Sequence, residues 1–312
     1  MPEAPPIFLV AAERSGSTML RLMLTQHHDL AFAGEFDFLI DGISPEGRFL
    51  KRAAFMRAIE LDRVFLHHGL TIPPDVNFVG IARSFLDQIG TAKPGARLVG
   101  ATLHRNFDRI LWLWPDAKFV HLVRDGRDVA LSAMAMGWAG NMWQAIRKWV
   151  EVETLWRRMA IKLPAARQIT IKYEMLVADP ERELTRITDF LGVGFDQAML
   201  DYPRHSTYGA PFTSSIGRWK KADMSSVQAA EHRAAGSLLQ NGYVLSGSVR
   251  APSLIRRLAL RIQDRNAIAA HRRAMLGDRL WLKSILLQRF GTQKARADIA
   301  RIENEIIDRS LK

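Results

Sequence analysis

Residues 7–27 constrain the fold of this chain more strongly than any other segment. An apolar run leads through a short polar turn at Gly16 into a helical pattern. This order predicts a buried strand, a tight turn and a helix whose first N–H groups face a ligand, where the helix dipole also favours an anion. Arg14 adds a permanent cation, and neighbouring hydroxyl groups add donors. The sequence therefore predicts a phosphate-binding loop made of Arg14, Ser15, Gly16, Ser17 and Thr18.

The loop differs from that of nucleoside triphosphatases. Their signature, GxxxxGK[ST], places a lysine on the outer phosphates and a hydroxyl on magnesium. Here Ser17 follows Gly16, and the cation, Arg14, precedes the glycine. The pattern therefore indicates a nucleotide whose reactive group is not a γ-phosphate. A kinase-like phosphotransferase, which needs that lysine and a magnesium carboxylate, is one alternative.

A second charged segment follows another predicted strand. Its apolar run ends at Arg124, and ligands of open α/β sheets bind at the carboxyl ends of such strands. Ser132 lies in the second or third turn of the helix predicted next. Arg124 and Ser132 are therefore candidates for binding a second phosphate, where one charge-assisted arginine contact is worth about 1.5–3 kcal/mol. Arg127 is predicted to pair with Asp125 or Asp128 and is not assigned to the site.

These two segments resemble motifs of the sulfotransferases that use 3′-phosphoadenosine-5′-phosphosulfate (PAPS). Residues 14–18 are similar to the family's 5′-phosphosulfate loop. Residues 124–128 with Ser132 are similar to its 3′-phosphate motif. Two later segments extend the resemblance, in the family's order, over about residues 5–245.

The first of these later segments, 171–180, is similar to the family's tyrosine segment, which implies that Tyr173 lies near the nucleotide. The second, 216–221, is similar to its late basic loop, which closes over the 3′-phosphate. The resemblance implies cofactor contacts from Arg218, Trp219 and Lys220. It also implies PAPS as cofactor, 3′-phosphoadenosine 5′-phosphate (PAP) as product, and no metal.

Strand patterns separated by long helical patterns predict βαβ units and hence a parallel sheet. The predicted strands are 7–12, 97–100, 118–123 and 168–172. The predicted helices are 17–27, 50–61, 80–90, 105–113, 126–136, 141–160, 180–191 and 225–240. We expect an α/β fold, P-loop-like, with three α/β/α layers around a central parallel sheet. A catalytic domain at 1–250 and a basic helical extension at 251–312 are the expected units.

Sulfuryl transfer needs a base for the acceptor's proton and cations for the charge on the leaving group. Glu35 is the first candidate for the base, because its position resembles that of the catalytic glutamate of protein-tyrosine sulfotransferases. Nearby phenylalanines are expected to raise its pKa by desolvation. His104 is the rival, since it lies near the segment where small-molecule sulfotransferases carry a catalytic histidine.

One position departs from the family pattern. Many relatives carry a lysine shortly after the glycine equivalent to Gly100, but residues 101–103 contain none. Arg14, Arg105 or Lys172 is expected to replace it, and the alternative is that the activity is weak or absent.

Composition limits the other classes of function. The absence of cysteine excludes disulfides and thiolate metal sites. The proline-rich start has no basic or long apolar stretch, and no run of about 18 apolar residues occurs, so we expect neither a secretory leader nor a membrane span. A cytoplasmic protein is the resulting expectation.

The segment 251–312 is strongly basic. It holds 14 Lys and Arg against 6 Asp and Glu, a net charge of +8 out of +12 for the chain. Helical patterns at 254–270, 280–290 and 297–311 place apolar residues between the arginines. Solvated helices packed on the catalytic domain are one interpretation, and a peripheral surface for anionic lipid or an acidic polymer is another. Nucleic acid is not an expected partner, because no nucleic-acid-binding motif is evident.

The expected acceptor is a hydroxyl or amine of a carbohydrate, lipid or small metabolite, in a pocket formed by 36–80 and 133–145. Four tryptophans are predicted to be core residues, with the first two as alternatives for lining this pocket: Trp138, Trp143, Trp149 and Trp156. A non-catalytic nucleotide-binding protein that acts through its basic tail is a further alternative to a sulfotransferase.

Overall fold

A five-stranded parallel sheet forms the centre of the computed structural model, which describes residues 4–205, 213–247, 249 and 251–310. The strands are β1 Ile7–Val10, β2 Leu30–Glu35, β3 Leu98–Leu103, β4 Lys118–Val123 and β5 Gln168–Lys172. Their order is β2-β3-β1-β4-β5. After β3 the chain passes to the other side of β1, and ligands of such sheets bind where the order reverses.

Helices cover both faces of the sheet. They are α1 Ser17–Gln26, α2 Asp37–Ile40, α3 Arg52–Ile59, α4 Arg63–His68, α5 Phe78–Thr91, α6 Gly126–Ala135, α7 Met142–Ala160, α8 Tyr173–Ala178, α9 Pro180–Leu191 and α10 Met224–Gln240. Alternate residues of β1 face opposite sides: Phe8 and Val10 join one buried cluster, whereas Ile7 and Leu9 join another. The predicted three-layer α/β/α fold is confirmed.

The sequence predicted most of these elements but missed β2 and three short helices, α2, α4 and α8. The α-helix predicted at 105–113 is wrong, because Phe107–Trp112 is a 3₁₀-helix. In a 3₁₀-helix side chains three apart lie above each other, and here this spacing buries both Phe107 and Ile110. Asn106, with φ of 48°, starts this tight connection.

Three further helices form the basic segment: α11 Leu254–Leu276, α12 Asp278–Phe290 and α13 Gln293–Ser310. Helix α11 packs on the loop before α7, where Asn141 Nδ2 donates to the Leu260 carbonyl at 2.7 Å. Helix α13 contacts the turn between α3 and α4, where Asn304 Nδ2 donates to the Leu61 carbonyl at 3.1 Å. Among the described residues, no helix has the length and apolarity needed to cross a bilayer. The boundary at residue 250 stays a prediction.

Candidate functional site

The predicted phosphate-binding loop joins β1 to α1 at the middle of the sheet. Ser15 N–H donates to the Ala12 carbonyl at 3.1 Å, which closes the turn. Arg14 and Gly16 have left-handed backbones with φ of 70° and 94°. A Cβ at Gly16 would lie 2.6 Å from the Tyr173 ring, so this ring packs directly on the loop. Gly16 also caps α1 without a side-chain acceptor, so the first N–H groups of the helix suit an anion.

The two predicted phosphate-binding segments meet in one cluster. Arg14 Nε donates to Ser132 Oγ at 3.1 Å, and Arg124 Nη1 donates to the Arg14 carbonyl at 3.2 Å. Arg124 Nη2 donates to the Ser215 carbonyl at 2.7 Å, and its guanidinium lies 4.4 Å from the centre of the Tyr173 ring. The Tyr173 hydroxyl and Ser215 Oγ are 2.9 Å apart. We refer to these five residues as the arginine–serine cluster.

Two polar atoms at this cluster are buried without a hydrogen-bond partner among the described residues: Ser15 Oγ and Arg124 Nε. An unpaired buried polar group costs about 1–3 kcal/mol, so such atoms call for an explanation. Both are donors, and both stand where the open helix N-terminus already favours negative charge. The site therefore fits an anion that accepts from several donors, as a phosphate group does.

The late basic segment is held against the start of α6. Its residues Arg218, Trp219 and Lys220 lie on a short 3₁₀-helix, Arg218–Lys221. Asp128, in the first turn of α6, accepts from the N–H groups of Gly217 at 2.7 Å and Trp219 at 2.9 Å. These contacts bring the exposed Arg218 and Lys220 to the first turn of α6, the helix that carries Ser132 of the arginine–serine cluster.

Arg127 does not belong to this cluster, as predicted. It is buried and pairs with Asp125 at 2.7 Å, which confirms one of its two predicted partners. The predicted pairing with Asp128 is wrong, because the Asp128 carboxylate accepts backbone N–H groups of the late basic segment. The second acidic partner of Arg127 is Glu231, at 2.6 Å. The Arg127 guanidinium also lies 3.5 Å from the centre of the Trp219 ring, so one face of that indole is already covered.

Glu35 and His104, the two rival bases, form one pair. Strand β2 ends at Glu35 and β3 ends just before His104, so the two parallel strands bring the side chains together. Glu35 Oε1 lies 3.5 Å from His104 Nε2. His104 Nδ1 lies 2.8 Å from the Ala11 carbonyl, which only accepts, so Nδ1 carries a proton. With a carboxylate on the other side, Nε2 is protonated too, and His104 is an imidazolium.

The charges of this pair support that assignment. Burial would lower the pKa of His104, but Glu35 and Asp37 raise it to about 9. In turn, the interaction with His104 lowers the pKa of Glu35, against the opposing effect of burial. The expectation that phenylalanines raise the pKa of Glu35 is therefore wrong. At neutral pH the ionised carboxylate of Glu35 can therefore accept a proton, whereas the protonated His104 cannot.

Asp37 is a residue of the site that the sequence did not assign. Its buried Oδ1 accepts from the backbone N–H groups of His104 at 3.0 Å and Arg105 at 3.1 Å. Burial raises the pKa of Asp37. A second acid two residues after Glu35 was the available signal, but its burial depends on α2, which the sequence did not reveal. Asp37 fixes the turn on which His104 stands.

Glu35, Asp37 and His104 have ligand-type atoms within 4.8 Å of one another, a spacing that also suits a metal ion. Two of these groups are already engaged: Asp37 Oδ1 accepts two backbone N–H groups, and His104 Nδ1 bonds the Ala11 carbonyl. The protonated Nε2 faces Glu35. The contacts describe an ion-pair network, and we assign no metal to it.

Two of the three candidates for the missing lysine make their contacts outside the phosphate-binding loop. Arg105 pairs with Asp41 at 2.6 Å. Lys172 Nζ lies 5.1 Å from the centre of the Tyr243 ring. Arg14 is the candidate that stands in the phosphate-binding loop.

Two cavities open next to this site. One, of about 580 Å³, lies beside His104 and is lined further by Arg105, Asn106 and residues of α7. The other, of about 210 Å³, lies beside Arg14 and Trp138. A salt bridge of 3.0 Å between Lys148 and Glu13, which line both cavities, stands between them. Residues 36–80, predicted to form the acceptor pocket, line neither of these two cavities.

The tryptophan prediction holds for three of the four residues. Trp143, Trp149 and Trp156 are buried. Trp138 is exposed and lines the smaller cavity, with Arg14 5.7 Å from its ring centre, so its assignment to the core is wrong. Trp143 packs with Leu260 and lines neither cavity.

Comparison with known proteins gives a consistent result. A family model described as "Sulfotransferase family" matches residues 5–197. A protein-tyrosine sulfotransferase of Drosophila melanogaster is 27% identical over 210 residues, which cover 64% of this chain and 40% of that protein. Protein-tyrosine sulfotransferase 2 of Gallus gallus is 26% identical over 219 residues, covering 64% of this chain and 54% of that protein. The chain thus spans about half the length of these two relatives.

A solved structure shares the fold. The sulfotransferase domain from the Synechococcus PCC 7002 olefin synthase superposes with a TM-score of 0.56 at 22% identity, covering 74% of this chain and 94% of that domain.

Proposed function

Since this chain belongs to the sulfotransferase family, we propose that it transfers a sulfuryl group from PAPS to a hydroxyl group of an acceptor. The arginine–serine cluster carries this proposal. It joins two separate basic segments around the open N-terminus of α1. At this site Arg124 Nε and Oγ of the neighbouring Ser15 are buried without partners among the described residues. Such a site is equipped for a ligand with two phosphate groups.

In the proposed complex, residues 14–18 bind the 5′-phosphosulfate. Arg124 and Ser132 bind the 3′-phosphate, and Arg218 and Lys220 cover it. Tyr173 and Trp219 lie near the adenine. PAPS supplies the sulfuryl group, and PAP leaves with the bridging oxygen. Arg14, in the phosphate-binding loop, neutralises the charge that develops on that oxygen.

Glu35 acts as the base. Its carboxylate accepts the proton of the acceptor hydroxyl while that oxygen bonds to sulfur, and the products are a sulfate ester and PAP. His104 is a positioning residue in this scheme, because both of its nitrogens carry protons and donate, one to Ala11 and one towards Glu35. The lowered pKa of Glu35 keeps the carboxylate ionised at neutral pH.

We propose that the acceptor is the hydroxyl of a tyrosine in a protein or peptide. The relatives named protein-tyrosine sulfotransferases support this class over the carbohydrate, lipid or small metabolite expected from the sequence. The cavity of about 580 Å³ beside His104 offers the place for it. A phenol, with a pKa near 10, also loses its proton to a carboxylate more readily than a sugar hydroxyl does.

The test is transfer of radiolabelled sulfate from PAPS to a panel of tyrosine peptides, sugars, alcohols and amines. We expect labelled tyrosine peptide from the wild-type chain. Glu35→Gln should lower turnover by about 10²–10⁴-fold, the usual contribution of a general base, and leave the affinity for PAP within about twofold. The matched control is Glu151→Gln, which removes an acid that lines the cavity beside His104.

Four outcomes would contradict parts of this proposal. Wild-type turnover in Glu35→Gln would exclude Glu35 as the base. Label on sugars or amines alone would exclude the tyrosine acceptor. Binding of PAP without transfer to any acceptor would point to a non-catalytic protein, and magnesium-dependent transfer from ATP would point to a phosphotransferase.

A further inference from the structure

Helix α11 presents four large apolar side chains to solvent. Leu254, Ile255, Leu258 and Ile262 are 79%, 83%, 58% and 51% exposed. At 100° per residue these four fall within one 100° arc of the helix. We call them the outer stripe. A surface helix ordinarily turns such a stripe towards the core.

The opposite side of α11 fixes this orientation. Asp264 Oδ1 accepts the N–H of Gly140 at 2.7 Å, and Leu260, one of the helix's buried residues, packs with Trp143. A Cβ at Gly140 would lie 2.7 Å from the Asp264 Cα, so the backbones touch here. Because this contact leaves no room for rotation, the outer stripe faces away from the sulfotransferase domain.

Helix α12 repeats the arrangement. Leu282, Ile285, Leu286 and Phe290 are exposed, whereas Ser284, on the other side of the helix, is buried and donates to Glu303. Two consecutive helices therefore display aliphatic and aromatic side chains outward. Apolar patches of this kind mark interaction sites rather than ordinary surface.

Arginines of α11 border the outer stripe, because at 100° per residue Arg261 and Arg257 fall about 20° and about 60° beyond its edge at Leu254. Burial and the neighbouring charges of Arg147, Arg261 and Arg257 lower the pKa of Arg233. The Arg233 guanidinium lies 3.8 Å and that of Arg257 6.0 Å from the centre of the Trp143 ring, which packs with Leu260 of α11. Glu151 is the acid that acts on Arg233, and it already pairs with Arg147 at 3.3 Å. We call these four the arginine group.

We propose that the outer stripe and the arginine group bind the surface of an anionic lipid bilayer, with α11 lying in the interface. Apolar side chains flanked by basic ones are the combination that such surfaces take up. The charge of the segment favours a bilayer over a second copy of the chain as the partner, because two segments of net charge +8 would repel each other. The contact is separate from sulfuryl transfer and does not depend on it.

Cosedimentation of the full chain with vesicles tests the proposal. One set is pure phosphatidylcholine, and the other adds phosphatidylserine. We expect binding to the anionic set, weakened by salt. Leu254→Ser with Ile255→Ser should lower the partition coefficient at least about tenfold, because both side chains leave the apolar phase. Ile161→Ser with Val244→Ser is the matched control, since these aliphatic side chains are equally exposed elsewhere.

A second pair of variants tests the charge. Arg257→Gln with Arg261→Gln should remove most of the preference for anionic vesicles, and their unchanged circular dichroism would show that the fold persists. Equal binding to both vesicle sets, or none, would overturn the proposal. So would outer-stripe variants that bind as well as the wild type. A dimer without lipid that Leu254→Ser dissociates would replace the bilayer by a second copy.

Discussion

Replacing His104 by glutamine tests the charge state on which the proposed mechanism depends. In the folded chain the pKa of His104 is about 9, against 6.5 for an ordinary histidine. The folded state therefore binds the proton more tightly than the unfolded state. The resulting stability is fully present below pH 6.5 and is lost as the pH rises through about 9.

The size of the effect follows from these two values. Each pH unit between them contributes about 1.4 kcal/mol, so the His104 proton stabilises the fold by about 3 kcal/mol. His104 is nearly fully buried, but its partner Glu35 is 47% exposed, so solvent screens part of this stabilisation. The gap in unfolding free energy between wild type and His104→Gln should narrow by at most about 3 kcal/mol between pH 6.5 and 9.5.

Urea denaturation followed by tryptophan fluorescence measures this gap across the pH series. Only the difference between the two proteins is used, because other groups titrate in both. His28→Gln is the control for replacing an exposed histidine, since the His28 side chain is 72% exposed. A gap that stays constant from pH 6.5 to 9.5 would mean that His104 is neutral, and would return it to the role of base.

Two further predictions concern the nucleotide site. Arg124→Ala should weaken PAP binding about tenfold to a hundredfold by calorimetry, because it removes a charge-assisted contact, whereas Arg48→Ala, at an exposed arginine, should not; unchanged affinity would exclude Arg124 from the site. Gly16→Ala should lower the melting temperature and abolish stabilisation by PAP, because its Cβ would meet the Tyr173 ring and its φ is 94°. Gly236→Ala, with open space around the new Cβ, is its control, and normal PAP stabilisation in Gly16→Ala would contradict the packing described.

The sequence predicted those strands, helices and loops whose signal lies within one short continuous segment. Runs such as Ile7 to Val10 are continuously apolar because both faces of a central parallel strand are buried. Strand β2 was missed because one of its buried faces is formed by the small residues Ala31 and Ala33, which carry little strand signal. The phosphate-binding loop was found because its donors lie within five residues.

Contacts between distant segments were not predictable in the same way. Glu35 and His104 were rivals in the sequence, and the pairing of β2 with β3 makes them partners. The carboxylate was expected to be desolvated by phenylalanines, and a histidine 69 positions away lowers its pKa instead. The orientation of α11 also depends on the glycine at position 140, which no periodicity in the helix itself reveals.

The contacts of Arg124 have a consequence for how relatives of this chain diverge. One guanidinium supports the main chain at Arg14, the main chain at Ser215 and the face of the Tyr173 ring. A substitution that moves any one of these three regions would shift the Arg124 guanidinium and so weaken its contacts with the other two. We expect substitutions there to accompany one another across homologues, as a group inherited and replaced together.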